Sequence, residues 1–394
     1  MRITFIVTKF NFNGGGENHD IIMKVRALME IGHEIAVVTI FPKANNIPQD
    51  APFRVIEEQA PSYGLFSLQS FIVRVLKKYS QQTDIFYLVG NSFFFGGGWY
   101  RLSTKGSKPV VADINGYADF VETYYKKEPL YPSSHIPEKQ TWLRRAKHWL
   151  RILLERSVGV YLINRLDAIV ILTKTFAQHY IWAGVKKDKI TIIPSFYDIS
   201  TLQSEPLKDN PFLDYPQDAF HILFTGRFHI DKGVDILIKA FLKCNCPKAR
   251  LHLVGDGPEQ AALKELVSQG GLSQKVKFYS WRSPDQLIPF YQHADLFVHS
   301  SRLPDPLIRT TIEAMAFGLP LIATDTCGEE WFGREVAKTF SSGNIDELCV
   351  KLTEAYNDKD FRDKAKYNGI KRAKEFDYQK QIIKLNNILT SIYD

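Results

Sequence analysis

The 394-residue chain reads as an α/β protein built from two doubly wound, Rossmann-like domains facing across a cleft. Three observations predict this. Short apolar, β-branched runs alternate with longer helical patterns, the rhythm of βαβ units. Those runs are continuously apolar rather than alternating, as expected of parallel strands covered on both faces. The rhythm also stops and restarts once, in a chain longer than one core ordinarily fills (domains run roughly 50–200 residues).

In the first half the strands are Ile3–Thr8, Glu34–Thr39, Ile85–Val89, Val110–Ile114, Ala168–Leu172 and Ile190–Ile193. A helix over Asp20–Ile31 starts after a Gly-rich turn and stops at Gly32. From Ser195 to Asp218 the chain is polar and carries Pro206, Pro211 and Pro216, the composition of a linker. Strands resume at His221–Thr225, Arg250–Val254, Lys275–Phe278, Leu296–His299 and Leu321–Ala323. These boundaries put one domain at residues 1–197 and the other at 198–375. The last helix, Tyr378–Ile392, is apolar at Ile382, Leu385, Ile388, Leu389 and Ile392, and residues 376–394 are expected to pack back onto the first domain.

Composition is that of a soluble globular protein, with 45% hydrophobic and 24% charged residues. No apolar run approaches the ~18–20 residues that span a bilayer. Met1–Thr8 is too short for a signal peptide and reads as the first buried strand. The net charge of +7 and pI near 9.0 favour anionic partners: a nucleotide diphosphate, a polyanionic acceptor or an acidic membrane. No nucleic-acid-binding signature accompanies that charge. Cys244, Cys246, Cys327 and Cys349 form no Cys-x-x-Cys pair, so neither structural zinc nor a disulfide framework is expected, and a reducing cytoplasm is the simplest compartment.

The strongest chemical signal runs from Pro304 to Pro320. Asp305 suits an N-cap, Pro306 the first helical turn and Gly318 the stop. Asp305 and Glu313, eight residues apart, lie roughly 12 Å apart along a helix and about 80° apart around it. That separation suits a ligand with a hydroxylated ring at each end and a diphosphate between. The N–H groups of Leu307, Ile308 and Arg309 offer the helix's positive end to the phosphates. Alternatively Asp305 only caps and Glu313 only solvates the helix, although the apolar Ala314–Phe317 run fits solvation poorly.

A second signal, Phe224–Gly233, follows a strand and precedes a helix. Gly226 permits close backbone approach, while Arg227 and Lys232 are either two cations that hold phosphate oxygens or solvated surface charges. The Gly14-Gly15-Gly16 turn after the first strand either cradles phosphate or lets substrate approach the backbone; it matches neither the dinucleotide fingerprint nor the P-loop. Gly255-Asp256-Gly257 lies under the nucleotide or is a plain strand-to-helix turn. Gly96-Gly97-Gly98 is expected as a loop, and Asp358-Lys359-Asp360 as a solvated turn rather than a metal motif.

Together and in this order, these segments resemble the family 4 retaining glycosyltransferases of the GT-B fold, over nearly the whole chain. Leu28–Ile35, Asp167–Thr173, Ile190–Pro194 and Tyr291–Ser300 carry the same likeness. The resemblance implies that Asp305 holds donor-sugar hydroxyls, Glu313 the ribose, and Arg227 and Lys232 the diphosphate. It places Asn115 closest to the position where the family often carries a His near the sugar. It further implies a UDP- or GDP-sugar donor, a glycan or lipid-linked glycan acceptor, retention of configuration, and no metal or cofactor. The sequence departs from the family pattern with Asp rather than Glu at 305, Ile308 where Gly is common, and Ser195-Phe196-Tyr197-Asp198 before the linker.

Lys139–Arg165 carries seven cations against Glu155, with Trp142 and Trp149 seven residues apart. Such a segment, with Arg144 and Arg145, is either an interfacial helix on an anionic inner membrane face or a domain helix with solvated cations. Other function classes remain open on the same fold: a nucleotide-sugar epimerase, a phosphorylase, or a non-catalytic nucleotide-sugar-binding protein. Nothing singles out the pyridoxal-phosphate lysine that a phosphorylase would need.

Overall fold

A computed structural model describes residues 1–11, 16–48, 51–61, 65–116, 118, 121, 149–303, 309–325 and 329–394. The chain divides into two compact units, Met1–Tyr197 with Tyr378–Asp394, and Asp198–Asp377. Each is a parallel sheet clothed by helices, as the uninterrupted apolar strands require.

The first unit holds β1 (Arg2–Val7), β2 (Glu34–Thr39), β3 (Arg54–Glu57), β4 (Ile85–Val89), β5 (Val110–Ile114), β6 (Ala168–Ile171) and β7 (Ile190–Ile192), in spatial order β3-β2-β1-β4-β5-β6-β7. Alternate residues of one strand feed opposite faces. Phe86 and Leu88 of β4 join one apolar cluster, Ile85, Tyr87 and Val89 the other. The second cluster takes in helix Gly16–Glu30 and helix Tyr378–Tyr393, whose Leu385 and Leu389 are fully buried.

The second unit holds β8 (Phe220–Thr225), β9 (Ala249–Val254), β10 (Val276–Tyr279), β11 (Leu296–His299), β12 (Leu321–Thr324) and β13 (Ala337–Phe340), ordered β10-β9-β8-β11-β12-β13. Strand order reverses between β1 and β4 in one sheet and between β8 and β11 in the other. Ligands of open α/β sheets bind at such switch points, beyond the strand carboxyl ends.

The structure corrects several expectations. The first helix begins at Gly16, not Asp20, and the linker segment contains a helix at Ile199–Ser204, capped by the Asp198 side chain. The glycine triplet lies inside helix Phe94–Ser103 rather than in a loop. A Cβ on Gly96 would stand 2.8 Å from Ile72, and one on Gly98 would stand 1.9 Å from the Leu162 carbonyl oxygen. These glycines serve close packing, which offsets their low helix propensity of about 1 kcal/mol each. Edge strands β3 and β13 escaped notice because each has only two strongly apolar or small residues and half-exposed interior positions. Asp358 caps helix Lys359–Ala373, and Asp358, Lys359 and Asp360 are exposed.

Candidate active site

At the switch point of the second unit, the loop after β8 is tied to the loop after β11. Ser300 Oγ donates to the Lys232 carbonyl at 2.9 Å, Ser301 Oγ to the Asp231 carbonyl at 3.1 Å, and the Arg302 guanidinium to the Ile230 carbonyl at 2.6 Å. Gly233 makes this possible. Its φ is +62°, and a Cβ there would stand 2.1 Å from the Ser300 carbonyl oxygen. Gly226 begins this braced loop, with Arg227 exposed and Lys232 half-buried at the end of the short turn Ile230–Lys232.

Glu313 lies in helix Arg309–Ala316 and is only 5% exposed, so it does not solvate that helix. Arg309 Nε donates to Glu313 Oε1 at 2.6 Å, and the Tyr291 hydroxyl donates to Oε2 at 3.0 Å. Thr225 Oγ1, at the end of β8, is 3.1 Å from the same hydroxyl. Burial, then the charge of Glu313, push the Tyr291 phenol well above its ordinary range, so it stays a neutral donor. A buried carboxylate is tolerable only with such partners. Arg309 is thus joined to Glu313 through its side chain, and Tyr291 is a site residue that sequence reasoning missed. Its place in the Tyr291–Ser300 stretch gave no sign of which way the ring would face.

Beside this loop, Gly257 is needed for packing, since a Cβ would stand 2.3 Å from the Phe228 carbonyl oxygen. The Asp256 carboxylate accepts from the Trp281 N–H at 2.7 Å, fixing the turn after β9 to that after β10. Asp305, Leu307 and Ile308 lie outside the described residues, as do Gly15, Trp142, Arg144 and Arg145.

In the first unit, Asn115 follows β5. Both polar atoms of its amide are buried without a hydrogen-bond partner among the described residues, and so is Asn91 Oδ1 in the turn after β4. Buried amides left unsatisfied in this way usually answer to a ligand or ordered water. Behind them is a group that the sequence did not advertise. Fully buried Lys24 reaches Asp20 and Asp113, each at 2.6 Å. The Tyr87 hydroxyl donates to Asp113 at 2.8 Å, and the Phe196 N–H to Asp20 at 2.7 Å. Burial pushes the Asp20 carboxyl up against the pull of Lys24. Burial alone would lower the Lys24 ammonium, but Asp113 and Asp20 together raise it. As Asp20 and Lys24 are four residues apart on one helix, they look in sequence like a surface pair. Gly16 opens that helix, and Trp149 is 58% exposed in the described helical run over 149–163.

Residues 14–201 match the family model described as Glycosyltransferase Family 4, and residues 208–372 the model described as Glycosyl transferases group 1. The chain belongs to the family 4 glycosyltransferases. Its fold is GT-B, two Rossmann-like parallel sheets with flanking helices. A lipopolysaccharide core biosynthesis glycosyltransferase of Rhizobium meliloti is 29% identical over 265 residues, 61% of this chain and 71% of that one. The chain spans about half the length of several other curated relatives it matches. Among solved structures, a sucrose-phosphate synthase from Thermosynechococcus elongatus superposes with a TM-score of 0.76 at 19% identity, over 100% of this chain and 99% of that one. HepE of Anabaena, in complex with UDP and glucose, superposes with a TM-score of 0.73 at 20% identity, over 99% and 100%. These two likenesses show the shared fold of the family. No described helix of this glycosyltransferase is long and apolar enough to cross a membrane.

Proposed function

We propose that this glycosyltransferase moves a hexose-type sugar from a UDP- or GDP-sugar to a glycan or lipid-linked glycan, with retention of configuration and without a metal, in bacterial surface polysaccharide synthesis on the cytoplasmic side of the membrane. The observation that carries the reading is the buried, doubly held Glu313 on the helix after β11, in the unit where β11 and the braced Arg227–Lys232 loop share a switch point. A carboxylate held in this way can accept from a ribose diol, while the loop cations stabilise a departing diphosphate. Asp305 would hold sugar hydroxyls, and the chain N–H groups at 307–309 the phosphates. The orphaned Asn115 amide favours a hydroxylated ligand at the carboxyl end of β5.

In this reading the bond from the anomeric carbon to the diphosphate oxygen breaks. The acceptor hydroxyl oxygen bonds the same carbon from the same face, and its proton passes to the departing diphosphate. The protein positions the partners and stabilises charge. The Rhizobium meliloti relative, a lipopolysaccharide core biosynthesis glycosyltransferase, supports a surface glycan, and the UDP and glucose held by HepE of Anabaena support a UDP-sugar.

The test is incubation with a panel of UDP- and GDP-sugars. Slow release of nucleotide diphosphate from one donor is expected, with the anomer of the released sugar matching that of the donor by NMR. Inversion would overturn the retaining reading, and the absence of release from every donor would overturn the donor class.

A further inference from the structure

We propose that the first unit carries a built site for one hydrocarbon chain of an anionic membrane lipid. A cavity of about 330 Å³ opens between helix Leu65–Tyr79, helix Phe94–Ser103 and the helical run 149–163. Phe66, Phe95, Trp99, Leu102, Val158 and Leu162 give it apolar walls. Two glycines set how closely its helices meet. Gly98 touches the Leu162 backbone, and a Cβ on Gly159 would stand 2.4 Å from the Phe95 ring. The π turn Glu155–Gly159 falls at that contact, and such turns are frequent at functional sites.

Two polar side chains also reach the cavity, and each is held by a protein partner. The Gln69 amide accepts from the Gly96 N–H at 2.6 Å and donates to the Ser92 carbonyl at 2.8 Å, while Glu155 accepts from Arg151 Nε at 2.8 Å. The rest of the lining is apolar, and so is an occupant that fills it. The volume stands at the low end of the roughly 300–1,000 Å³ of ligand pockets, which suits a single chain.

The surroundings indicate where that chain comes from. Trp149, Leu150, Leu153 and Tyr161 are exposed on the same helical run, with Trp182 exposed on helix Lys174–Trp182. Arg165 is exposed over the Tyr161 ring, Arg156 and the Glu155-paired Arg151 share the run, and Lys139, Arg144, Arg145 and Lys147 precede it in the sequence. Exposed apolar side chains with indoles and cations settle on anionic bilayers, at the boundary where acyl chains begin. This deepens the membrane side of the function proposed above and rests on it for its biological use, although lipid binding itself needs no donor.

The experiment uses the full chain and phosphatidylglycerol vesicles with brominated acyl chains, which quench nearby tryptophans. Trp99 is expected to account for a distinct share of the quenching, lost in Trp99→Phe. Phe66 is 70% exposed and Val158 54%, so Phe66→Asp and Val158→Asp put a charge at the mouth without touching the core. Each should weaken vesicle binding at least tenfold and remove the Trp99 share, leaving vesicle-free donor hydrolysis unchanged. Equal quenching of wild type and Trp99→Phe would overturn the site, as would undiminished vesicle binding by both Asp variants. So would a dimer in sedimentation that Val158→Asp dissociates, since a second copy would then own the face. Trp99 quenching in a protein that hydrolyses no donor would sink the glycosyltransferase mechanism and leave the lipid site standing.

Discussion

Arg309 and Tyr291 reach the Glu313 carboxylate from two elements, and that arrangement sets what each substitution does. Glu313→Gln removes the charge that Arg309 Nε meets at 2.6 Å, a loss of up to about 3–5 kcal/mol for a buried pair. The second unit should therefore melt at a lower temperature. If Glu313 also accepts from ribose, affinity for UDP or GDP should fall about tenfold or more, the scale of a hydrogen bond to a charged group. Calorimetric titration with nucleotide, beside a thermal melt, separates the two roles: a lower melting temperature with unchanged affinity would make Glu313 purely structural. Arg227 is exposed, so Arg227→Ala should leave the melt unchanged while lowering turnover ten- to hundredfold, with Lys232→Ala comparable in turnover. Full activity in both would remove the loop from the mechanism. At this scale Glu313 was legible because an acid inside an apolar helical run needs a reason. Lys24, Asp20 and Asp113 were not, because a buried ion pair and a solvated one have the same spacing in sequence, and only the fold brings β5 beneath the first helix.

Most strands were legible because the uninterrupted apolar run is the physical requirement of a strand covered on both faces. Gly96–Gly98 misled because the turn habit of glycine and its value in close packing leave the same mark in sequence. The linker misled because its helix is short and its hold on the sheet is aromatic. Phe212 stacks on His221 at 4.5 Å and on His252 at 4.0 Å, the imidazoles of β8 and β9 being joined at 2.9 Å, with the Tyr279 hydroxyl 3.2 Å from His252. Tyr215, Arg250, Lys277, Asp214 and His293 surround the pair. Burial lowers His221 to about 4, aided by Arg250 and His293, and lowers His252 to about 3, aided by His221 and Lys277. Above pH 6.5 neither the folded nor the unfolded chain protonates them. Below it the unfolded chain takes up protons that the folded one refuses, so stability falls until about pH 4 and 3. The slope is at most about 1.4 kcal/mol per pH unit for each ring, and less for the half-exposed His221. Urea unfolding between pH 7 and 4.5 should show this loss, and His252→Gln, which cannot titrate, should flatten it. An unchanged slope would mean that the pair is protonated in the fold.

At the scale of the whole molecule, the chain leaves the first unit at Tyr197 and returns to it at Tyr378, so its last helix completes a core begun at residue 1. The Tyr378 N–H donates to the Tyr197 carbonyl at 2.8 Å, binding departure and return together. Ile382, Leu385 and Leu389 then lie in the cluster with Ile21, Val25 and Leu28, and Asn386 meets His33 at 2.7 Å. Each of those three side chains stabilises by about 1.5–3 kcal/mol when buried, so removing the helix forfeits roughly 5–9 kcal/mol and uncovers its apolar partners. That equals most of the 5–15 kcal/mol by which a domain of ordinary stability holds together. The second unit lies wholly between Asp198 and Asp377 and takes none of its core from this helix. A chain ending at Asp377 should therefore lose the calorimetric transition of the first unit while keeping that of the second. If the donor is held by the second unit's switch-point loops, the truncated chain should bind UDP or GDP almost as well as the full one, yet transfer no sugar. Two intact transitions would show that the helix is dispensable to the first core. Loss of nucleotide binding with the second transition intact would show that the first unit contributes to the nucleotide site.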